Sequence, residues 1–562
     1  MKLRFVVFGV VAIGVVGAIA GASFVGGYAF RDPHFDPYFF AQKLVERLLG
    51  KSPRTVQFDR QRKTQYESIF LRLDGEIGTV PVERPGWGGG LTSFGDSVLL
   101  LTHEGRIFAA RSASDIKETA IEAPENGLAA YRRAAKSERF KDLTHHFHRF
   151  RYNDILYYRS DYGHGLVASY TEFLENDACY GTAIAVLELD PNVVSVEEIS
   201  ARKEDWEVIY RTRPCLPLKK QFRAIEGHMA GGRIVFRAPT TIFLGSGDYH
   251  WDGVFAPEAF AQRPDNHYGK VIKIDLASRQ AKIVSLGHRN MQGITLDRKG
   301  QIWVVEHGMR GGDELNRVVQ GENYGWPEET LGTRYNTLPW PNTRSYGRHE
   351  TFTPPTFAWL PSVAISSLTL IEGFHESWDG DLLMASLKAL SLYRIRIRDN
   401  RVMFAERIKI GKRIRYAHQH TDGRLVLWTD DKTLIFLTVS RRNALRLEDQ
   451  IAKADYDDDQ RRQVRQALLA CMECHTFEPG VHANAPNLAS IFKAPIAGSN
   501  FGGYSEALKA RGGHWTRKEL SAFLKNPEAY APGTTMPNPE IDDPFVLGAM
   551  MDLMEELSKL DD

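Results

Sequence analysis

The chain has little cysteine and no excess of either charge. Four cysteines stand among 562 residues, and only Cys471 and Cys474 form a C-x-x-C pair. A structural zinc site wants two more ligands at matching spacing, and no second C-x-x-C supplies them. Lys and Arg number 71 against 70 Asp and Glu, a net charge of +1. That balance gives no electrostatic ground for a nucleic-acid partner. A disordered composition is missing too, with 43% hydrophobic and 25% charged residues. The length exceeds one hydrophobic core and suggests roughly three to four domains, unless repeats relax that count. Glycine is plentiful at 48, which suits a turn-rich β protein.

A long uncharged run occurs at the start. Lys2 and Arg4 precede the stretch from Phe5 to Phe30, long enough to cross a bilayer as a helix. The basic flank stays cytoplasmic and everything after it is exported. Residues 1–30 are therefore expected to be an anchor holding a periplasmic protein at the inner membrane. A signal peptide cut near Ala18 or Ala20 is the competing reading. Outside the cytoplasm Cys179 and Cys215 can form a disulfide; two separate buried thiols fit the sequence equally.

Residues 31–64 contain an amphipathic helical pattern over 34–50 and lead into a different texture. From 65 to 440 an apolar strand, a polar turn and a second strand recur about six times. SFGDSVLLLTHEGRIFAAR (93–111), FRYNDILYYRSDYG (150–163), IVFRAPTTIFLGSGD (234–248) and ITLDRKGQIWVVEHG (294–308) are four of these units. WDGDLLMASLKALSLYRIRI (378–397) and HTDGRLVLWTDDKTLIFLT (420–438) are the others. The recurrence predicts a mainly β chain folded as a β-propeller. A pair of β-sandwiches explains the strands but not the repetition. Residues 441–460 are charged and read as a linker, and 461–562 have a helical pattern without strands.

That tail carries CMECH at 471–475, the attachment signature for c-type haem. Cys471 and Cys474 lie one helical turn apart, so both thiols reach one edge of a haem, and His475 follows to ligate the iron. A redox dithiol is the plainer reading. Met536, after the Pro-Gly turn of NPEAYAPGTTMP, is a candidate sixth ligand, whereas Met550, Met551 and Met554 sit on a helix expected to pack inward.

Upstream, GHRNMQGITLDRKGQIWVVEHGMRGGDELNRVVQGENYGWP (287–327) gathers Arg289, Asn290, Glu306, His307, Asp313 and Glu314 among glycines. His228 precedes two glycines and Arg233, Lys388 lies in ASLKAL, and Arg413 and Arg415 are spaced to share one strand face. Cations from several blades converging on one pocket suit an anionic ligand. A packed histidine, a solvated arginine face and a structural ion-pair network are the plainer readings.

The tail resembles a class I cytochrome c from CMECHTFE through the APNL string at 485–488 to a last helix near 543–558. By that resemblance Pro486 backs His475 through its carbonyl, Met536 completes the iron, and Tyr504 and Trp515 line the haem. Residues 85–435 resemble the soluble quinoprotein glucose and aldose sugar dehydrogenase family, on the HRN-x-QG, EHG-x-RGGDE, NYGWP, SGDYHWDG and PDNHYGKVIKID strings. That family implies a six-bladed propeller carrying pyrroloquinoline quinone (PQQ). His228 is then the general base, Arg289 and Asn290 hold PQQ, and Lys388, Arg413 and Arg415 neutralise it. Asp313 lies near the substrate, the carbonyls of Gly308 and Met309 hold Ca²⁺, and Glu314 joins a second Ca²⁺.

Departures from the family pattern are Gly227 before His228, the glutamine-free WGGGL at 87–91, Met291 in the HRN string, and a long stretch at 165–222 read as lying between blades two and three. The expected function is a quinohaemoprotein oxidising an aldose or related alcohol and passing electrons through its own haem to a respiratory-chain acceptor. The competing expectation is a propeller without PQQ that binds a carbohydrate or a protein.

Overall fold

In a computed structural model the chain is described over residues 63–559, except 70, 84–86, 219–223, 441–450, 452–453, 473, 476–484, 489–490, 493 and 500. The expected anchor at 1–30 and the helix at 34–50 lie outside the described residues. Among the described residues no helix is long and apolar enough to cross a membrane. Two compact units form, one dominated by Leu73–Thr438 and one by Val439–Asp562.

Beside one small parallel pair, Ala120–Ile121 with Ser200–Ala201, the first unit contains six antiparallel sheets in sequence. Their innermost strands are Gly90–Phe94, Tyr152–Ser160, Gly231–Arg237, Met291–Leu296, Ile365–Leu370 and Ile414–Gln419. Each of these packs on the next, and Ile414–Gln419 returns to Gly90–Phe94, so the sheets close into a six-bladed propeller. The last blade is completed by strands from the start of the unit, in the order Lys63–Glu67, Arg72–Thr79, Thr433–Val439, Leu425–Thr429, Ile414–Gln419.

Strand periodicity explains why the blades stack. Side chains alternate across a sheet, so one strand serves two interfaces. In Ser97–Leu101, Val98 and Leu100 pack with Trp428 and Phe436 of the last blade. Leu99 and Leu101 pack with Ile155 and Leu166 of the second. Each such side chain contributes about 1.5–3 kcal/mol when fully buried. The second strands of the first and last blades, Ser97–Leu101 and Leu425–Thr429, are buried along their whole length.

One expectation needs correcting. Much of 165–222 does not connect blades two and three but builds blade two itself. Gly163–Leu174 and Cys179–Glu188 are strands of 12 and 10 residues, and Glu207–Arg211 pairs beyond them. Their mostly continuous burial removes the apolar–polar alternation that marks a half-exposed strand in sequence. Cys179 and Cys215 are joined in a disulfide at the edge of this blade, beside the pairing of Tyr180 with Leu216.

The second unit is helical. Its helices are Asp458–Met472, Glu506–Arg511, Arg517–Lys525, Pro527–Tyr530 and Pro544–Lys559. Ser505 and Thr516 cap two of them by accepting from the backbone N–H of Leu508 and Glu519. Val464 and Leu468 of the first helix pack in one core with Met550, Met551 and Met554 of the last.

Candidate functional site

The chemistry-bearing residues of the propeller share one rim. Arg149 and Arg151, Glu226 and His228, Arg289 and Asn290, and Arg413 and Arg415 sit at or just before the starts of four innermost strands. Gly308, Met309, Lys388 and Asp430 follow the ends of second strands. Antiparallel pairing brings those ends to the same side of the ring.

Beneath this rim Arg233 occupies the axis. Its guanidinium donates to the carbonyls of Gly89, Asn153, Gln292 and Ser366 at 2.7–3.1 Å and lies 3.6 Å from Asp154. It joins strands of five blades and spends four of its five N–H donors on them. Burial raises the Asp154 carboxyl to about 6 despite the Arg233 charge.

His228 is half-buried above it. Its Nδ1 lies 3.2 Å from Glu226 Oε2 and 2.8 Å from Arg149 Nη1. His250 meets it edge-on with ring centroids 5.2 Å apart, and its own Nδ1 is 3.9 Å from Glu226. Burial pushes the His228 imidazole well below its ordinary range, Glu226 opposes that, and Arg149 and His250 add to it. The ring is therefore neutral at neutral pH, as a proton acceptor must be. Burial also works against the Glu226 charge, but the neighbouring His228 and His250 outweigh it and hold the carboxyl far below the usual range. Glu226, His228 and His250 bring their ligand atoms within 4.8 Å of one another, the only such His/Cys/Asp/Glu group among the described residues.

Gly227 is dictated by packing. A Cβ there would sit 2.0 Å from the Arg149 carbonyl oxygen. No side chain, aspartate included, fits, and the carboxylate beside His228 comes from Glu226 instead.

Asn290 fixes the His228 loop, donating to the His228 carbonyl at 3.3 Å and accepting from Gly231 N and Gln292 Nε2. Arg289 is buried, donates to the carbonyls of His307 and Gly308 at 3.1 and 2.7 Å, and lies 5.1 Å over the Trp326 ring. Its backbone N–H binds Glu306, which also meets His288 and Asn316. Gly308 thus offers a carbonyl already engaged by Arg289. Met309 is buried beside Trp326 and Trp340.

Arg413 and Arg415 share Asp430, at 2.8 and 2.7 Å. Arg413 is exposed and Arg415 buried, and burial lowers the Arg415 guanidinium from its ordinary value. Lys388 is exposed and meets no carboxylate among the described residues. Arg149 pairs with Glu226 and Arg233 with Asp154, whereas Arg151 and Arg289 have no carboxylate within 4 Å among the described residues. The rim therefore carries a surplus of positive charge, and an anion is the ligand that offsets it.

Asp313 is the residue expected near the substrate. It is fully buried, with its oxygens taken by Gly308 N, Ser362 Oγ, Val363 N and Ala364 N at 2.6–3.0 Å. It pins the rim loops. Glu314 is half-buried and bonded to Asn316; burial, then Glu306 and other carboxylates, raise its carboxyl well above the usual range. A cation there would relieve that repulsion.

Sequence reasoning passed over Arg149, Arg151, Glu226 and Asp430. The R-F-R spacing at 149–151 repeats the every-other-residue pattern of Arg413 and Arg415 and could have been read the same way.

In the helical unit a cavity of about 680 Å³ is lined by Cys471, Cys474, His475, Pro486, Tyr504, Trp515 and Met536, among other residues. That volume lies in the usual range of cofactor pockets, roughly 300–1,000 Å³. His475 Nδ1 is 2.7 Å from the Pro486 carbonyl, which takes its proton and leaves Nε2 as the ligating nitrogen. Burial lowers the imidazole pKa, and the Pro486 bond opposes this. Both thiols are free. The residues present fit a covalently held haem.

Fold and site together define a six-bladed propeller with an anion-attracting rim, joined in one chain to a helical domain built around a thiol- and imidazole-lined cavity. The glucose/sorbosone dehydrogenase family matches residues 156–437, and the chain belongs to that family. An uncharacterized protein of Synechocystis sp. is 31% identical over 247 residues, 40% of this chain and 57% of that one. Aldose sugar dehydrogenase YliI of Escherichia coli is 28% identical over 295 residues, 49% of this chain and 72% of that one. The cytochrome c homolog of Bradyrhizobium diazoefficiens is 41% identical over 72 residues in the C-terminal region, 12% of this chain and 39% of that one. The chain thus spans about half to three quarters of the propeller relatives and less than half of the cytochrome one. The apo-form crystal structure of soluble aldose sugar dehydrogenase from Escherichia coli superposes with a TM-score of 0.50 at 21% identity, over 66% of this chain and all of that one, a likeness of fold.

Proposed function

We propose that the protein is a quinohaemoprotein dehydrogenase that oxidises an aldose or related alcohol at the propeller rim and passes the electrons to its own haem. The observation that carries this is the surplus of cations around a neutral, carboxylate-backed histidine. Arg289, Lys388, Arg413 and Arg415 would hold the carboxylates and quinone oxygens of PQQ, and Asn290 would hold the loop that presents His228. PQQ, when bound, supplies the two-electron acceptor for the alcohol. His228 takes the hydroxyl proton, with Glu226 favouring the imidazolium that results. One Ca²⁺ would find hard oxygen donors in the carbonyls of Gly308 and Met309, the former shared with Arg289, and a second would find the Glu314 carboxylate.

Cys471 and Cys474 would anchor a haem ligated by His475 and Met536; His/Met ligation raises its potential, which suits an acceptor. Carrying both centres on one chain raises the effective concentration of each for the other. The haem would then reduce a respiratory-chain acceptor, in a periplasmic protein held by residues 1–30.

The test reconstitutes the full chain with PQQ and Ca²⁺ and follows the haem absorbance band while aldoses are added. Sugar-driven haem reduction is expected, and His228→Ala should abolish it while leaving dithionite reduction intact. Absence of reduction with every sugar at saturating PQQ would leave a binding module on a cytochrome instead.

A further inference from the structure

Arg151 has a place in the funnel that the reading above leaves unused. It is 8% exposed, and it enters the innermost strand of blade two beside His228. Nη1 donates to the Trp87 carbonyl at 2.5 Å, and Nη2 reaches the His228 carbonyl at 3.5 Å. Among the described residues Nε has no partner and no carboxylate lies within 4 Å. Two residues on, Asn153 is buried, and neither amide atom has a partner among the described residues. Arg151, Arg233, Asn153, Gln292 and Arg415 line one narrow gap, which in this structure has no room for a water. Burial, then repulsion from Arg415, Arg233 and Arg149, bring the Arg151 guanidinium down to about 9.

Burying a cation without a counter-charge is costly unless a ligand supplies one. A guanidinium fork with a carboxamide beside it matches the two oxygens of a carboxylate.

We propose that Arg151, with Asn153 beside it, receives a carboxylate group at the floor of the funnel. That group comes either from the cofactor or from an acidic sugar such as a uronate, because Arg151 touches both the Arg415 wall and the His228 loop. The proposal rests on the funnel being the ligand site, as in the reading above, but its test does not need turnover.

The experiment compares full-length wild type with Arg151→Gln. One arm titrates PQQ with Ca²⁺ and reads the melting temperature of the protein prepared without cofactor. The other measures glucuronate and glucose binding to the PQQ-loaded protein by calorimetry. A cofactor carboxylate predicts that Arg151→Gln weakens PQQ about tenfold or more and leaves both sugars alone. A substrate carboxylate predicts unchanged PQQ affinity, a similar loss for glucuronate and no change for glucose. In either case the unliganded variant melts no lower than wild type, because a strained charge is gone. PQQ and glucuronate affinities both within about twofold of wild type would overturn the proposal. If Arg151→Gln does not fold, Arg151→Met keeps the packed stem and is read against the same outcomes. If wild type fails to take up PQQ, the quinone reading falls, and glucuronate binding to the cofactor-free protein decides Arg151 alone.

Discussion

Replacing Glu226 by Gln isolates the carboxylate behind the proposed base. Glu226 is 1% exposed and lies 3.2 Å from His228 Nδ1, and the change keeps its shape while removing its charge. A hydrogen bond to a charged group contributes about 1.5–3 kcal/mol, and one pKa unit is about 1.4 kcal/mol. The imidazolium of His228 should therefore lose roughly one to two pKa units of support. Arg149, no longer offset by Glu226, pushes in the same direction.

A base must be unprotonated, so activity rises with pH through the His228 pKa. Lowering that pKa moves the acid limb of the pH profile to lower pH. A weaker base also slows proton removal on the plateau, by roughly tenfold and short of the 10²–10⁴-fold that general-base catalysis supplies. The assay is the initial rate of haem reduction at saturating sugar across the acid range, with dithionite reduction as the control for the haem. A limb that stays in place, or moves to higher pH, would refute the assignment of Glu226 as the partner of His228.

Two further outcomes concern stability. Burial works against the Asp313 charge, but the nearby His307 and hydrogen bonds from Ser362 and Ala364 outweigh it and bring the carboxyl from 3.8 to about 2. A depressed folded-state value contributes stability above the unfolded value and loses it as pH falls from about 4 to about 2. Denaturant unfolding should thus find Asp313→Asn weaker by about 2 kcal/mol at neutral pH, with the difference vanishing in that acid window. The Cys179–Cys215 disulfide closes a separation of 36 residues, which the loop-entropy relation values at about 4 kcal/mol. Replacing both cysteines by serine should lower the unfolding free energy of the propeller by that order, read by the same method with the wild type kept oxidised.

The hairpins were legible because their signals are local. A polar turn between two apolar strands needs only a few neighbouring residues, as in ITLDRKGQIWVVEHG, whose strands pair Leu296 with Ile302. Blade two was misjudged because its strands are buried nearly throughout and lack alternation. The rim was half legible. Arg413 and Arg415 stood out as a pair, but Asp430, 15 residues beyond Arg415, becomes their partner only through strand pairing. Arg149 and Glu226 meet across 77 residues and two blades, a distance at which no pattern in the chain announces contact. The disulfide was undecidable for the same reason.

The last blade draws strands from both ends of the propeller sequence, Arg72–Thr79 lying against Thr433–Val439. Sealing a circle of that contour carries a chain-entropy charge of roughly 5 kcal/mol by (3/2)RT ln n, met only when the final strand arrives. A polypeptide that stops short of residue 433 therefore lacks the strand against which Arg72–Thr79 pairs, and its ring cannot close. The residues synthesised next are those that lead to the haem-binding cysteines, so the clasp of the first domain fastens as the second begins.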